Sequence, residues 1–508
     1  MRFSPRLGRC AAALLIIAGA ARGEVTLPHL LSDHAVLQRE SPIHIWGNAD
    51  PGETVTVKFH EQTHTAKADD LGKWSLWLMP EKAGGPYTLT ATGSGGGAGA
   101  TVSNILVGDV WLASGQSNME MPLSGFPNSA VLKNGAEEIA HATLPNVRLL
   151  RLEKTTSEFP MNDVSATWTE CNPQTAADFS AVAYFFGREI SEKEKVPVGL
   201  IDTTWGGTPV EAWMSLMGIS SEAGLMPLFR SRALFAADLA DEPAKRAKEK
   251  REHDAAVAAH QPPPEETWHP DPASWEPAAL YNGMIAPETR YTIKGVIWYQ
   301  GEANSDPERA PLYEKEFPAL IADWRRDWAE GNFPFLYVQI SNFDSPKEDW
   351  GMIRDAQRRT LAVANTGMAV TLDIGTKDNV HPPDKESVGA RLALAARATV
   401  YGERGIEYSG PLFREATIET TAPRGSTMRV WFDHAESGLT SEGAPAGFEI
   451  AGADGKFVPA TAKIDGSTVV VEAAGITKPK FVRYGWASWT DANLFNKDKL
   501  PASTFTSQ

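Results

Sequence analysis

Two polar clusters in this chain carry the residue types needed to attack a carbonyl carbon. In DVWLASGQSNMEMPL, residues 109–123, an apolar run leads through Gly115 and Gln116 to Ser117. A serine hydroxyl is a poor nucleophile at neutral pH until a neighbouring base takes its proton. Such a base is offered by LDIGTKDNVHPPDKESVGARLALAARATVYG, residues 372–402, where Asp378 and His381 stand three apart ahead of a helical pattern. That spacing lets the carboxylate accept a hydrogen bond from one imidazole nitrogen while the other faces the serine. Each cluster also has a plainer reading. Ser117 can simply cap a helix, and Asp378 can be a turn residue with His381 at the surface before Pro382 and Pro383.

Two further clusters supply donors for an oxyanion. KGVIWYQGEANS, residues 294–305, ends in Gln300, Glu302 and Asn304, and a side-chain amide there can stabilise developing charge. In GLIDTTWGGTPVEAW, residues 199–213, Gly206 and Gly207 allow backbone N–H groups to come close to a bound ester oxygen. Ser117 itself is expected where a strand gives way to a turn or helix, whose first N–H groups are free and whose dipole favours negative charge. The aromatic residues beside these clusters, Trp205, Trp213, Trp298 and Tyr299, are either platforms for a sugar ring or core.

The elements that must position these residues follow from periodicity. Residues 24–105 hold short alternating runs such as IHIWG, TVTVKF and KWSLWL, broken by DPGE and DDLG, and predict an N-terminal β-domain. Residues 106–405 alternate apolar strands with amphipathic helices, which predicts an α/β catalytic domain built on a parallel sheet flanked by helices. Each of the four clusters sits just after a predicted strand, at the sheet end where open α/β folds bind ligands. Residues 225–280 interrupt that rhythm with a charged helix and a proline-rich stretch, read as a solvated helix and loop or as a rim over the site. Alternation returns over 406–508, a C-terminal β-rich, sandwich-like domain. No G-x-S-x-G elbow surrounds Ser117, which argues against an α/β-hydrolase fold.

Composition narrows the partners. The 508 residues carry 48 Lys+Arg against 64 Asp+Glu, a formal charge of -16, which argues against a nucleic acid or an anionic membrane as the main partner. Arg2, Arg6 and Arg9 precede an apolar run and small residues before Glu24, so residues 1–23 read as a signal peptide and predict a secreted or periplasmic protein. No apolar stretch is long enough for a membrane anchor. Of two cysteines, Cys10 lies in that leader, leaving Cys171 without a disulfide partner. No metal-ligand spacing is present, and neither metal nor organic cofactor is expected.

Taken together, the four clusters resemble the blocks of an SGNH hydrolase. More narrowly, GQSNM at 115–119, WGGTPVEAW at 205–213, WYQGEAN at 298–304 and DNVHPPDK at 378–385 look like the sialate O-acetylesterase family of carbohydrate acetylesterases. The likeness covers nearly all of the chain after the leader. It implies Ser117 as nucleophile, His381 as general base and acid, and Asp378 as orienting carboxylate. The N–H groups of Ser117 and Gly207, with the Gln300 side chain, are the implied oxyanion donors. The wider superfamily takes its third donor from a G-x-N-D block where this chain reads GEAN, and Gln300 is preferred to Asn304. Gln116, Trp205, Glu302 and Asn304 are the expected substrate contacts. The implied reaction is hydrolysis of O-acetyl groups from carbohydrate, on O-acetylated sialic acid or alternatively on plant polysaccharide such as xyloglucan or xylan. The non-enzymatic alternative is a carbohydrate-binding protein with an inactive esterase core.

Overall fold

The computed structural model describes residues 23–127, 131–262, 271–421 and 425–508, so the expected leader lies almost wholly outside them. Its central feature is strand β1, Ala100–Gly115. Over Thr101–Ser103 exposed and buried residues alternate, as in a sheet with one face in water; from Ile105 onward every residue is buried, as in a parallel sheet covered on both faces. The pairing changes with the texture. The first part of β1 pairs antiparallel with Gly84–Gly93, in a sheet that also holds Thr54–Phe59 and Gln62–Lys67, and Val36–Gln38 runs parallel beside Leu106–Gly108. The second part is the centre of the α/β sheet.

In that sheet β2 is Leu144–Arg151, β3 Thr169–Cys171, β4 Val198–Thr204, β5 Gly295–Tyr299, β6 Phe335–Gln339 and β7 Thr366–Val370. The strand order is β7-β6-β5-β1-β4-β2-β3, parallel except for the edge strand β3. After β4 the chain crosses β1 to build the other half. The reversal leaves a crevice at the C-terminal end of β1, between the loops that follow β4 and β5. Strands β4, β5 and β6 are buried along their whole length.

Besides the short helix α1, Ser117–Glu120, the longer helices are α2, Ala181–Glu194, α3, Pro227–Ala258, α4, Ala310–Trp328, α5, Trp350–Arg359, and α6, Lys385–Thr399. Helix α2 packs on β2 and β4, α5 on β6, and α6 on β6 and β7, whereas α3 belongs to the insertion. The C-terminal residues form two four-stranded sheets, one holding Leu412–Thr421, Gly425–Asp433, Thr461–Asp465 and Thr468–Glu472, the other Phe448–Ala451, Val458–Pro459, Phe481–Tyr484 and Phe505–Thr506. Arg354 of α5 joins them to the core. Its buried guanidinium donates to the carbonyls of Ile340 and Ser341 on one side and of Gly485, Ala487 and Ser488 on the other.

Candidate active site

Strand β1 ends at Gly115, which has φ +133 and whose position a Cβ would make 2.2 Å from the Tyr299 carbonyl oxygen; only glycine fits there. Gln116 is extended, and Ser117 is the first residue of a four-residue helix, Ser117–Glu120. The Ser117 hydroxyl lies 2.8 Å from His381 Nε2. His381 comes from the loop before α6, whose first turn is capped by the Asp384 carboxylate accepting from Ser387 N. The His381 N–H donates to Asn379 Oδ1 at 2.8 Å, and Phe126 stands edge-on to the imidazole at 5.2 Å.

Asp378 is placed differently from the serine and histidine. It is exposed, and no hydrogen bond or ion pair joins it to His381 among the described residues. The ring nitrogen facing away from Ser117 therefore has no carboxylate partner here.

The Trp205–Gly207 loop closes the other side of Ser117. Trp205 N donates to Gly115 O, and Gly206 N donates to the Glu120 carboxylate, which also binds Lys154 Nζ at 2.6 Å. These bonds hold Gly207, at φ +73, beside the nucleophile. Neither Ser117 N nor Gly207 N meets an acceptor among the described residues, so both donors are available.

The two amides expected nearby are committed elsewhere. Gln300 is completely buried and donates both amide hydrogens, to Thr208 O at 3.2 Å and Asn304 Oδ1 at 2.7 Å, while its own oxygen accepts from Tyr313 of α4. Asn304 accepts from Val210 N and donates to Glu211 and Glu316. Neither lines the cavity at Ser117, and Gln300 has no hydrogen left for an oxyanion. Both side chains turn down between the sheet and α4, where they satisfy buried backbone and carboxyl groups.

That cavity, about 520 Å³, is lined by Gln116, Ser117, Glu120, Phe126, Gly206, Gly207, Trp275, Glu302, Ala303, Asp306, Glu348, Val380 and His381. Gln116 reaches it but uses its side-chain oxygen to accept from Gly301 N and Ala303 N, which fixes the loop after β5. Trp205 is half-buried beside Lys154, whereas Trp213, Trp298 and Tyr299 are core. Trp275 belongs to the 225–280 insertion and carries the Arg309 guanidinium on its face at 4.2 Å, so part of that insertion does form a rim.

Asn118 and Lys385 went unremarked in the sequence although both lie inside the matching blocks. The fully buried Asn118 amide donates to Glu302 Oε1 at 2.6 Å and to Val380 O at 3.0 Å, and its oxygen accepts from Lys385 Nζ at 2.5 Å. One side chain thus ties the nucleophile helix to the histidine loop. Burial pushes the Lys385 ammonium down to about 7 and pushes the Glu302 carboxyl up. Burial, aided by the Lys385 charge, also pushes His381 down to about 4, so at neutral pH it is uncharged and able to accept a proton.

A parallel sheet with a serine at its reversal point, a neutral histidine on that serine and free N–H groups beside it define a carboxylic ester hydrolase of SGNH type. Residues 265–398 match the model of the carbohydrate esterase, sialic acid-specific acetylesterase family. The sialate O-acetylesterase of Rattus norvegicus is 30% identical over 546 residues, covering 97% of each chain, and that of Pongo abelii is 31% identical over 90% of this chain and 87% of its own. A crystal structure of a carbohydrate acetylesterase from Xanthomonas citri superposes with a TM-score of 0.80 at 37% identity, covering 95% of this chain and 99% of that one. The chain belongs to the sialate O-acetylesterase family. Among the described residues no helix is long and apolar enough to cross a membrane, and no group of side chains is arranged to hold a metal.

Proposed function

We propose that the protein is an exported esterase that removes acetyl groups from carbohydrate, with Ser117 as nucleophile and His381 as its base. The observation that carries this reading is the 2.8 Å contact from Ser117 Oγ to a neutral His381 at the wall of an open cavity. Ser117 attacks the acetyl carbonyl carbon as His381 Nε2 takes the hydroxyl proton. The N–H groups of Ser117 and Gly207 receive the negative charge that develops on the carbonyl oxygen. The C–O bond to the sugar then breaks, and His381 protonates the departing alkoxide. Water, deprotonated by the same histidine, attacks the acetyl-serine; the acyl C–O bond to Ser117 Oγ breaks, His381 returns its proton to that oxygen, and acetate leaves. Asp378 is the proposed orienting carboxylate because it lies in the same loop three residues before His381; to act it must be brought onto the second imidazole nitrogen.

The family name favours O-acetylated sialic acid as substrate. Acetylated neutral polysaccharide is a second reading, favoured by the cavity's charge: Glu120, Glu302, Asp306 and Glu348 line it, and among the described residues no Lys or Arg does. Lys154 neutralises Glu120 from behind, while Arg309, on Trp275, is held between Asp306 and Glu211. An anionic sugar meets little positive charge there. The test is hydrolysis of a chromogenic acetyl ester, acetylated sialic acids and acetylated hemicellulose oligosaccharides, side by side, by wild type and Ser117→Ala. Replacement should lower turnover by about four to six powers of ten with the circular dichroism unchanged. Undiminished hydrolysis by the folded variant would sink the assignment.

A further inference from the structure

A second cavity, about 770 Å³, opens at the opposite end of the sheet from Ser117. Its wall on the α/β side is made by the residues entering the strands, Lys294 before β5, Pro334 before β6 and Asn365 before β7, with Trp328 and Glu330 at the end of α4. Its other wall belongs to the N-terminal strands and presents Trp77. In Lys73–Leu78 the alternate residues Trp74, Leu76 and Leu78 are buried, which turns Trp77 outward. The indole is 55% exposed, and one face is stacked on the His44 ring at 4.3 Å and 12°. It is therefore a flat apolar plate, held in orientation from behind and open in front.

Two polar groups beside it keep capacity for a ligand. Glu330 makes no ion pair among the described residues; it accepts Ile293 N at 3.3 Å and lies beside the Thr292 hydroxyl. Burial pushes its carboxyl up to about 7, so near neutrality it can both donate and accept. Lys294 makes no ion pair there either; its ammonium rests on the Tyr401 ring at 5.4 Å. By contrast, Arg39 in the same wall is fully engaged by Asp109.

We propose that this crevice is a second carbohydrate-binding site, which takes a neutral pyranose ring on the open face of Trp77 and hydrogen-bonds its hydroxyls through Glu330 and Lys294. A sugar has what this surface offers a match for: an apolar C–H face for an aromatic plane and a rim of hydroxyls that pair with both donors and acceptors. Arg39 and Lys294 are matched in the lining by Glu40 and Glu330, so the crevice offers an anionic ligand no net positive charge. The site is separated from the nucleophile by the length of the strands, so a sugar held here is not the one being deacetylated. Its role, which rests on the carbohydrate reading above, is to retain a polymeric substrate while successive acetyl groups reach Ser117.

The experiment titrates the full chain carrying Ser117→Ala, by calorimetry, with cellohexaose, xylohexaose and sialyllactose, and repeats the titration with Trp77→Ala and Glu330→Gln added singly. Binding of a neutral hexasaccharide is expected, weakened about tenfold or more by Trp77→Ala. In the otherwise wild-type chain, Trp77→Ala should leave kcat/KM for p-nitrophenyl acetate unchanged and lower it for a polymeric acetylated substrate. Affinities indifferent to both replacements, no binding of either hexasaccharide, or preference for sialyllactose would each overturn the proposal. Failure of the esterase reading would register separately, as a wild-type protein that hydrolyses no acetylated sugar.

Discussion

Replacing Lys385 by methionine should make the protein less active without making it less stable. The Lys385 ammonium is completely buried, and burial holds it at about 7 against an ordinary 10.5. An unfolded chain keeps that proton up to the ordinary value, whereas the folded protein gives it up near 7. The buried charge therefore weakens the fold below pH 7, and this penalty is relieved as pH climbs toward 10.5. The gap is worth up to about 5 kcal/mol. Methionine fills the same space without the charge but strips Asn118 Oδ1 of its donor, at a cost of about 1–3 kcal/mol. The carboxyl of Glu302, already displaced upward, accommodates the loss by holding its proton. In urea unfolding the variant should match or exceed wild type by a few kcal/mol at about pH 6, the difference shrinking toward about pH 9. Turnover should fall, because Asn118 is the positioning residue that joins the Ser117 helix to Val380, beside His381. The acid limb of the rate profile should also move up from near 4, since one of its two causes is gone, while staying below 6.5 because burial remains. Stability curves for the two proteins that run parallel across that pH range, or an acid limb that stays where it was, would refute the reasoning.

In the wild type, kcat/KM should rise through one ionisation near 4 and stay level through neutrality, and a limb close to 6.5 would contradict a buried neutral His381. Asp378→Asn should cost up to about 10⁴ in kcat if its carboxylate reaches the imidazole in the working enzyme; full activity would remove it from the mechanism. Acetyl esters should be preferred to butyryl esters, each methylene that does not fit costing roughly 1–3 kcal/mol, and greatest activity on long acyl chains would defeat the proposed substrate class. Chelators should leave the rate unchanged, whereas inhibition reversed by added zinc would point to a metal-dependent deacetylase.

Ser117, Gly207 and His381 were legible because each follows an apolar strand in chain order, and strands of one parallel sheet deliver their loops to one edge. What lay beyond reach was the direction of individual side chains. Gln300 and Asn304 occupy the right loop, but the turn after Tyr299 sends both inward, where α4 supplies Tyr313 and Glu316 as partners. Nothing local marks that choice. Asn118 and Lys385 were overlooked for a related reason: their partners are 184 to 267 residues away, and a buried lysine has no periodic signature. The insertion was read as solvated helix or rim, and Trp275 shows that one part reaches the site. The expected division near residue 105 falls inside strand β1.

That strand constrains how the molecule can be cut. Sixteen residues, kinked once by a bulge at Asn104 (φ +57), run from one sheet into the other and end at Gly115, with only Gln116 between the strand and Ser117. No linker separates the leading unit from the nucleophile: the strand that pairs with Gly84–Gly93 is the one that delivers Ser117. A shortened protein starting near residue 106 would lose the β1 partners over Ala100–Ile105 and the Val36–Gln38 strand alongside Leu106–Gly108, leaving a raw sheet edge at the root of the nucleophile's own support. The leading unit is better regarded as the footing of the catalytic serine than as a detachable module.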